Sequence, residues 1–581
     1  MSHPAPTITA ADALVRQLES YGVEYVFGLC GHTNIAFLDA LGRSRIKFVM
    51  ARHEQAAAHA ADGYARATGK PGVLLVHVGP GMMNAVTGVA TAAFDSVPLI
   101  TISGDIPSYY HGRHPHQEVN LHADADQTAI YRPFVKRAWH VHRAEDLARF
   151  TERAFWTATS GRPGAVLLNV PMDHFSREVP LVEYPLVAHT AKPALSDADA
   201  RRIARALAGA ERPLVYLGGG LRSPEGRAAL LDLVEHLDLP VAHSLMAKGT
   251  LPDRHPLVMG MTGFWGLELT NEYTRKADVV LALATRFAET DASSWNDEYT
   301  WAFPPGRLIQ IDLDPAEIGR NYPVEIGAVA DVGHAVPAIT AAVKALVPEP
   351  VERADIREQI GTVRADLFSA SQERGRSTDF PLRPERILED LRTTLPADAV
   401  LVTDVGWNKN GVAQCYELPE EGRFITPGGA STMGFGPAAA VGVQLAQPDR
   451  VVVALVGDGG MSAQLPAVPL AVEQGLPVLF VVMNNKAHGT IADLQAHNFG
   501  QSFGCEFRDT DGNPFSPDFA AFGRSCGADG YTVERPEDFA AALRKAIENR
   551  RPAVLDVPMV NEPVPTPGHW NINDIYQGVF E

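Results

Sequence analysis

Cysteine is scarce in this chain. Its 581 residues include four, Cys30, Cys415, Cys505 and Cys526, with no CxxC pair among them. That excludes a disulfide framework and a cysteine-based zinc site, and it fits a reducing cytoplasm. Positive charge is also in deficit: 50 Lys and Arg face 69 Asp and Glu, for a net charge of −19. Nucleic acid and anionic membrane surfaces are therefore poor partners, although a small anionic ligand needs only a local site. The opening MSHPAPTITAADALVRQL lacks the basic and apolar segments of an export signal. One charge-free stretch, 71–94, has a membrane's width. Its Gly-Pro-Gly at 79–81 and its small residues read instead as strand, turn and buried helix.

What the chain has in abundance is alternation. Apolar residues make up 46% and charged residues 20%, ordinary for a globular protein. Nearly continuous apolar strands are expected at 23–29, 72–78, 98–103, 165–169, 213–217, 279–284, 308–311, 400–403, 451–456, 477–483 and 553–557, with helical segments between them. Continuous runs of this kind belong to parallel sheets covered on both faces, so the fold class is doubly wound α/β. A single core stops growing near roughly 250–300 residues, which calls for about three domains. Proline-rich breaks at 180–195 and 347–353 give domains at 1–185, 190–350 and 375–565, with a tail at 566–581. The first and third share length and rhythm, without an exact repeat.

The motif with the most chemistry lies in the third domain. The apolar run 451–456 ends in Gly457-Asp458-Gly459-Gly460, and the run 477–483 ends in Asn484-Asn485. Ligands of open α/β sheets bind at such strand ends. Glycines let backbone N–H groups approach a diphosphate, while a carboxylate and an amide oxygen supply hard ligands for Mg²⁺. A second candidate is Glu54, which follows Arg52-His53 and opens the small-residue helix EQAAAHAADGYARATGK. A carboxylate is favoured at a helix N-terminus, and this alone would explain it.

GDGG…MNN resembles the cofactor motif of thiamine-diphosphate enzymes, and AHAADGYARATGKPG resembles their pyrimidine-domain helix. Over nearly its whole length the chain is similar to the acetolactate (acetohydroxyacid) synthase group and its decarboxylase and lyase relatives. The resemblance implies three doubly wound parallel-sheet domains: pyrimidine-binding, middle (nucleotide-fold-like) and diphosphate-binding. It implies thiamine diphosphate and Mg²⁺ as cofactors. Metal ligands would be Asp458, Asn485 and the Ala487 carbonyl. Glu54 would accept a hydrogen bond from the aminopyrimidine ring and so activate the cofactor. In Pro427-Gly-Gly-Ala-Ser-Thr-Met433-Gly, Met433 would stand between the two cofactor rings. Gly457, Gly459, Gly460, His488, Gly489, Gly81 and Asn408 complete the expected cofactor contacts. Glu54 and Asp458 lie in different domains, and the family shares each site between subunits, so a homodimer or homotetramer is implied. The activity implied is carbon–carbon bond cleavage or formation on a 2-keto acid or 2-hydroxy ketone through a carbanion or enamine, as a carboligase or lyase.

Several residues depart from a plain synthase. Gly31-His32 stands where the synthases have two glycines, and it is similar to cyclohexane-1,2-dione hydrolases. His32 is thus either an acid–base residue or a strand-end histidine bonded to backbone, and hydrolysis of a cyclic 1,2-diketone is the alternative activity. The loop Tyr109-Tyr-His111-Gly-Arg-His114-Pro-His116-Gln117 carries Gln117, which matches a synthase glutamine near the thiazolium. His116 is a candidate proton shuttle, while His111 and His114 read at least as well as solvated residues without a catalytic role; the His-x2-His-x-His spacing could bind a metal, but no cysteine lies near it and the loop is exposed. Lys136 matches a family lysine near substrate entry. Thr290 replaces the arginine that receives a second keto acid, Leu494 replaces a tryptophan, and Ile491 replaces the decarboxylase glutamate. In the middle domain LVYLGGG (214–220) and IQIDLDP (309–315) suit FAD or ADP, but the absent Asp-Asp-Arg beside the flavin site speaks against FAD.

Overall fold

A computed structural model describes residues 6–119, 126–187 and 190–562. The expected C-terminal tail at 566–581, with its possible role as a lid, lies outside the described residues. Among the described residues no helix is long and apolar enough to cross a membrane.

Three six-stranded parallel sheets follow one another along the chain. The N-terminal sheet runs Lys47–Met50, Tyr25–Gly28, Gly72–Val76, Leu99–Asp105, Ala165–Pro171, Arg137–His140. The C-terminal sheet runs Arg423–Ile425, Val400–Thr403, Val452–Gly457, Leu479–Asn484, Ala553–Pro558, Asp529–Thr532. Numbered within their own domains, both have the strand order 2-1-3-4-6-5. The internal duplication that the sequence hides is therefore present in the topology. The middle sheet runs Val258–Met261, Val241–His243, Pro213–Leu217, Val279–Leu283, Arg307–Asp312, Ile326–Val329, which is the order 3-2-1-4-5-6 of a dinucleotide fold. Every strand expected from the apolar runs is found. The strands not expected lie mainly at the sheet edges, where half-exposed faces break the apolar run. A short antiparallel pair, Thr7–Thr9 with Glu178–Pro180, ties the chain's start to the end of the first domain.

The first and third domains meet through two counterpart helices, Glu54–Thr68 and Phe435–Ala446. Each follows the second strand of its sheet. Both are built from Ala and Gly, and this lets their backbones touch. A Cβ on Gly442 would stand 1.8 Å from the Ala60 carbonyl oxygen, and one on Gly63 would stand 2.2 Å from that of Ala439. The buried alanines 56, 57, 58, 60 and 61 and 438, 439 and 440 form one core with the sheets behind them. Arg66, at the far end of the first helix, is buried between Asp62 (2.6 Å) and Asp95 (2.8 Å), and its guanidinium lies over the Phe435 ring.

A side chain cannot enter this crossing without separating the helices. Gly442→Val should lower stability by about 3 kcal/mol. The check is the first transition in a thermal melt. An unchanged transition would mean that the helices do not meet as described.

Candidate active site

The C-terminal cradle forms where the third and fourth strands of its sheet end. Val452–Gly457 delivers Asp458 to the start of a short helix, Asp458–Ala463. Asp458 is 1% exposed. Its Oδ1 accepts from the Gly459 N–H at 3.0 Å, whereas its buried Oδ2 has no partner among the described residues. Burial pushes the carboxyl up to about 6. Leu479–Asn484 brings Asn485 alongside. The Asn485 amide oxygen stands 3.2 Å from Asp458 Oδ1 and 3.0 Å from the Ala487 carbonyl oxygen. Three acceptors thus converge with no donor among them. Turning the amide would let it donate to both, but would bring its oxygen to the Asn561 Oδ1, to which Nδ2 now donates at 3.0 Å. A hard cation between the oxygens satisfies the arrangement as it stands, together with the orphaned Oδ2. Lys486, between Asn485 and Ala487, takes a positive φ of 59°, a strain of the kind found at ligand sites.

The floor of the cradle is glycine. A Cβ on Gly459 would stand 2.8 Å from the His488 ring and 3.2 Å from Met433 Cε, so His488 and Met433 both face this point. Met433 is 37% exposed, a large apolar side chain left uncovered beside the cradle. Gly457 borders open space beside Asn408, and Gly489 packs against the Asn485 amide.

Asp404 organises this region, and the sequence reading missed it. It ends the first strand of the sheet and is fully buried. Its carboxylate accepts from Gly434 N (3.1 Å), Gly436 N (2.9 Å) and Val405 N (2.9 Å), which pins the backbone just after Met433. The Asn408 amide oxygen accepts from Asp404 N. From the N-terminal domain, Asp95 accepts from the N–H groups of Gly428 and Gly429, both at 2.8 Å, and the Thr91 and Thr432 hydroxyls meet at 2.8 Å. The loop carrying Met433 is thus held from two domains.

The N-terminal half of the site repeats the pattern. Glu54, 5% exposed, opens its helix, and Asn84 Nδ2 donates to its Oε2 at 3.0 Å. Gly81 leaves a gap: a Cβ there would stand 3.1 Å from Glu54 Oε1 and 3.2 Å from His77 Cβ. Gly79, at φ 60°, lets the histidine loop close down, since a Cβ would stand 2.0 Å from the Gln117 carbonyl oxygen. His32 and His116 are exposed and their rings lie 6.1 Å apart, with the His77 ring 4.7 Å from that of His32. Burial and these two imidazoles hold His32 below the usual histidine range. Gln117 Oε1 lies 2.7 Å from His77 Nε2. His77 was also missed, because one imidazole at a strand end looks like core.

The structure does not gather every expected residue here. His111 lies against His140, and His114 is exposed. Among the described residues no group of three or more His, Cys, Asp or Glu is placed to hold a metal. Lys136 donates to the carbonyls of Ser160 and Arg162, beside a different cavity. That cavity, of about 500 Å³, opens between the domains at the strand ends of the middle sheet. Gly219, Arg222, Arg286, Thr290, Lys409 and Ser431 are among its lining. Lys409 is buried and donates to Ser431 Oγ at 3.0 Å, without an ion pair among the described residues. Burial pulls its ammonium down to about 8.

Residues 8–130, 200–339 and 404–557 match the N-terminal TPP binding, central and C-terminal TPP binding domains of thiamine pyrophosphate enzymes. The chain belongs to this family. It is 32% identical over 560 residues to a probable acetolactate synthase large subunit of Methanocaldococcus jannaschii, covering 94% of this chain and 91% of the relative. It is 32% identical to the acetolactate synthase isozyme 3 large subunit of Escherichia coli, covering 95% and 94%, and 31% identical to the acetolactate synthase large subunit of Haemophilus influenzae, covering 94% of each. Within the family it is acetolactate-synthase-like: a thiamine-pyrophosphate-dependent enzyme of carbon–carbon bond cleavage and formation.

Glu54 and the Met433 loop lie apart within one chain. Gly63 faces Ala439 and Ala60 faces Gly442, so the counterpart helices run in opposite senses past their crossing. Glu54 and Met433 lie at their outward ends. At 1.5 Å per residue this separates them by roughly 15–20 Å.

Burial as the cause of the Asp404 shift can be checked by pH. Its carboxyl titrates at about 6 when folded, against 3.8 ordinarily. The folded state therefore holds the proton better, and the ionised form carries a penalty that is absent below about pH 4 and complete above about pH 6. In Asp404→Asn that term is missing. The stability of the variant relative to the parent should rise by about 3 kcal/mol between those limits and then level off. A pH-independent difference in denaturation would contradict it.

Proposed function

We propose that the enzyme joins an activated acyl unit from a 2-keto acid such as pyruvate to a second carbonyl compound, with Mg²⁺ and thiamine diphosphate held at the Asp458 cradle. The observation that carries this reading is the buried Asp458 Oδ2, which has no partner among the described residues, beside the Asn485 amide and the Ala487 carbonyl. A carboxylate, an amide oxygen and a carbonyl suit Mg²⁺, and the diphosphate completes its shell. The glycines at 457, 459 and 460 admit the diphosphate to the helix N-terminus, where backbone N–H groups point at it. Asn408 and Gly489 support this cradle, and His488 and Met433 wall it.

Thiamine diphosphate, when bound, supplies a thiazolium carbon that adds to a carbonyl and holds the electron pair of the bond that breaks. The chain's residues do the rest. Glu54 would accept a hydrogen bond from the ring nitrogen set against it, in the gap that Gly81 leaves, and so favour the ring tautomer that activates the cofactor. Gln117 donates from its amide to the substrate oxygen. His32, neutral at pH 7, and His116 move the proton on that oxygen. Thr290 and Leu494 in place of arginine and tryptophan favour an acceptor without a carboxylate, an aldehyde or ketone. Hydrolysis of a cyclic dione needs nothing beyond His32 to suggest it, and the synthase relatives favour ligation.

The separation of Glu54 from its own cradle motivates a homodimer or homotetramer in which each site takes one half from each of two chains. The names of the relatives, large subunits, add a small subunit as a further partner to test. Domain boundaries near 185–190 and 350–375 and a cytoplasmic location complete the proposal. The interdomain cavity would be the place for ADP or, despite the missing Asp-Asp-Arg, FAD: Gly218–Gly220 end a strand there, and Lys409, without an ion pair among the described residues, offers a cation. No step is assigned to a flavin. Its presence would be read from visible absorption of the purified protein.

Two measurements test the reading. Thiamine diphosphate should quench tryptophan fluorescence tightly with Mg²⁺, and at least about a hundredfold more weakly in EDTA. Metal-independent binding would remove the cation from the cradle. Glu54→Gln should bind the cofactor but turn over pyruvate about a hundredfold or more slowly. Full activity in that variant would refute the role of Glu54.

A further inference from the structure

We propose that His77 is a positioning residue that fixes which face of the Gln117 amide the substrate meets. The inference rests on the reading that Gln117 borders the reacting carbonyl. His77 ends the third strand of the N-terminal sheet and is 8% exposed. Its ring spans two partners: Nδ1 lies 3.0 Å from Thr33 Oγ1, and Nε2 lies 2.7 Å from Gln117 Oε1.

The direction of this chain follows from Thr33. Its hydroxyl is 1% exposed and accepts from the Val78 N–H at 3.2 Å. A buried hydroxyl proton needs an acceptor, and among the described residues the only one for Thr33 is His77 Nδ1. Nδ1 therefore carries the lone pair. In the neutral ring the proton sits on Nε2, which donates to Gln117. The Gln117 oxygen is thereby occupied, and its NH₂ group, without a partner among the described residues, is left as the donor.

The surroundings hold this arrangement in place. A Cβ on Gly31 would stand 2.3 Å from the His77 ring, and the Gly79 conformation keeps the Gln117 backbone against the strand end. Gln117 itself takes a positive φ of 65°, so the loop is committed to this position. Were the amide reversed, its oxygen would face the substrate oxygen and repel it. A glutamine can donate to a carbonyl from a free loop, but only after choosing between two faces. The imidazole makes the choice before the substrate arrives, which is the value of a preorganised donor.

The test is a double-mutant cycle on the full-length holoenzyme, with turnover of pyruvate in the presence of an aldehyde acceptor as the readout. Gln117→Ala should lower kcat by about tenfold to a hundredfold, with the affinity for thiamine diphosphate unchanged. His77→Phe keeps the ring and loses the donor, and it should cost about as much. In the double variant His77→Phe/Gln117→Ala the loss should equal that of Gln117→Ala alone, because His77 acts through Gln117. His77→Gln, which can still donate, should recover most of the activity. If Gln117→Ala is fully active, the reading of Gln117 fails. If that variant is impaired while His77→Phe is active, or if the two losses multiply, the His77 assignment is overturned. A loss in His77→Phe that His77→Gln does not restore also overturns it.

Discussion

The contact between two glycine-notched helices is the constraint on which the rest depends. Gly63 and Gly442 let Glu54–Thr68 and Phe435–Ala446 touch backbone to backbone, and this welds the first and third domains of one chain together. The same contact sends the N-terminal ends of the helices in opposite directions. Those ends carry Glu54 and the Met433 loop. Tight packing within a chain thus separates Glu54 from the Met433 loop, and this separation is what motivates the proposal of a site shared between two chains.

Each domain places its chemistry at the same topological point. In the N-terminal and C-terminal sheets the order reverses between the first and third strands, and ligands of open sheets bind at such switch points. His32 and His77 follow those strands in one sheet, and Asp404 and Asp458 follow them in the other. In the middle sheet the reversal lies between Pro213–Leu217 and Val279–Leu283, where the interdomain cavity opens. The loop 427–433 joins these regions. It lines the cavity at Ser431, donates two hydrogen bonds to Asp95, and ends at the backbone that Asp404 clamps. The buried Arg66 between Asp62 and Asp95 anchors that path. Removing one member of such a buried group costs more than its contact is worth, because it leaves the other charges unpaired.

Much of this was legible in the sequence. Strands buried on both faces announce themselves as apolar runs, so the sheet centres could be read off directly. Edge strands such as Lys47–Met50 and Asp529–Thr532 are half exposed and carry no such run. The Asp458 and Asn485 motifs were legible because glycines and hard ligands at strand ends are rare by chance. His77 was not, because its meaning depends on Thr33 and Gln117, which are distant in sequence. Asp404 reads as an ordinary strand-end aspartate until its three N–H partners are in view. The histidine loop looked like one cluster, but its backbone sends His116 toward His32 and His111 toward His140. Neither the duplication nor the separation of the site halves has any local signature, since both are properties of how helices cross.

The claim that one site is built from two chains is tested most directly by complementation. A chain carrying Glu54→Gln is co-expressed with one carrying Asp458→Asn, each inactive alone, and turnover of pyruvate in the presence of an aldehyde acceptor is measured. A shared site gives hybrid dimers with one intact site in two, so random pairing should restore about a quarter of the parent activity. No recovery, with hybrids verified by mass, would mean that each chain completes its own site and that the helix crossing does not divide it.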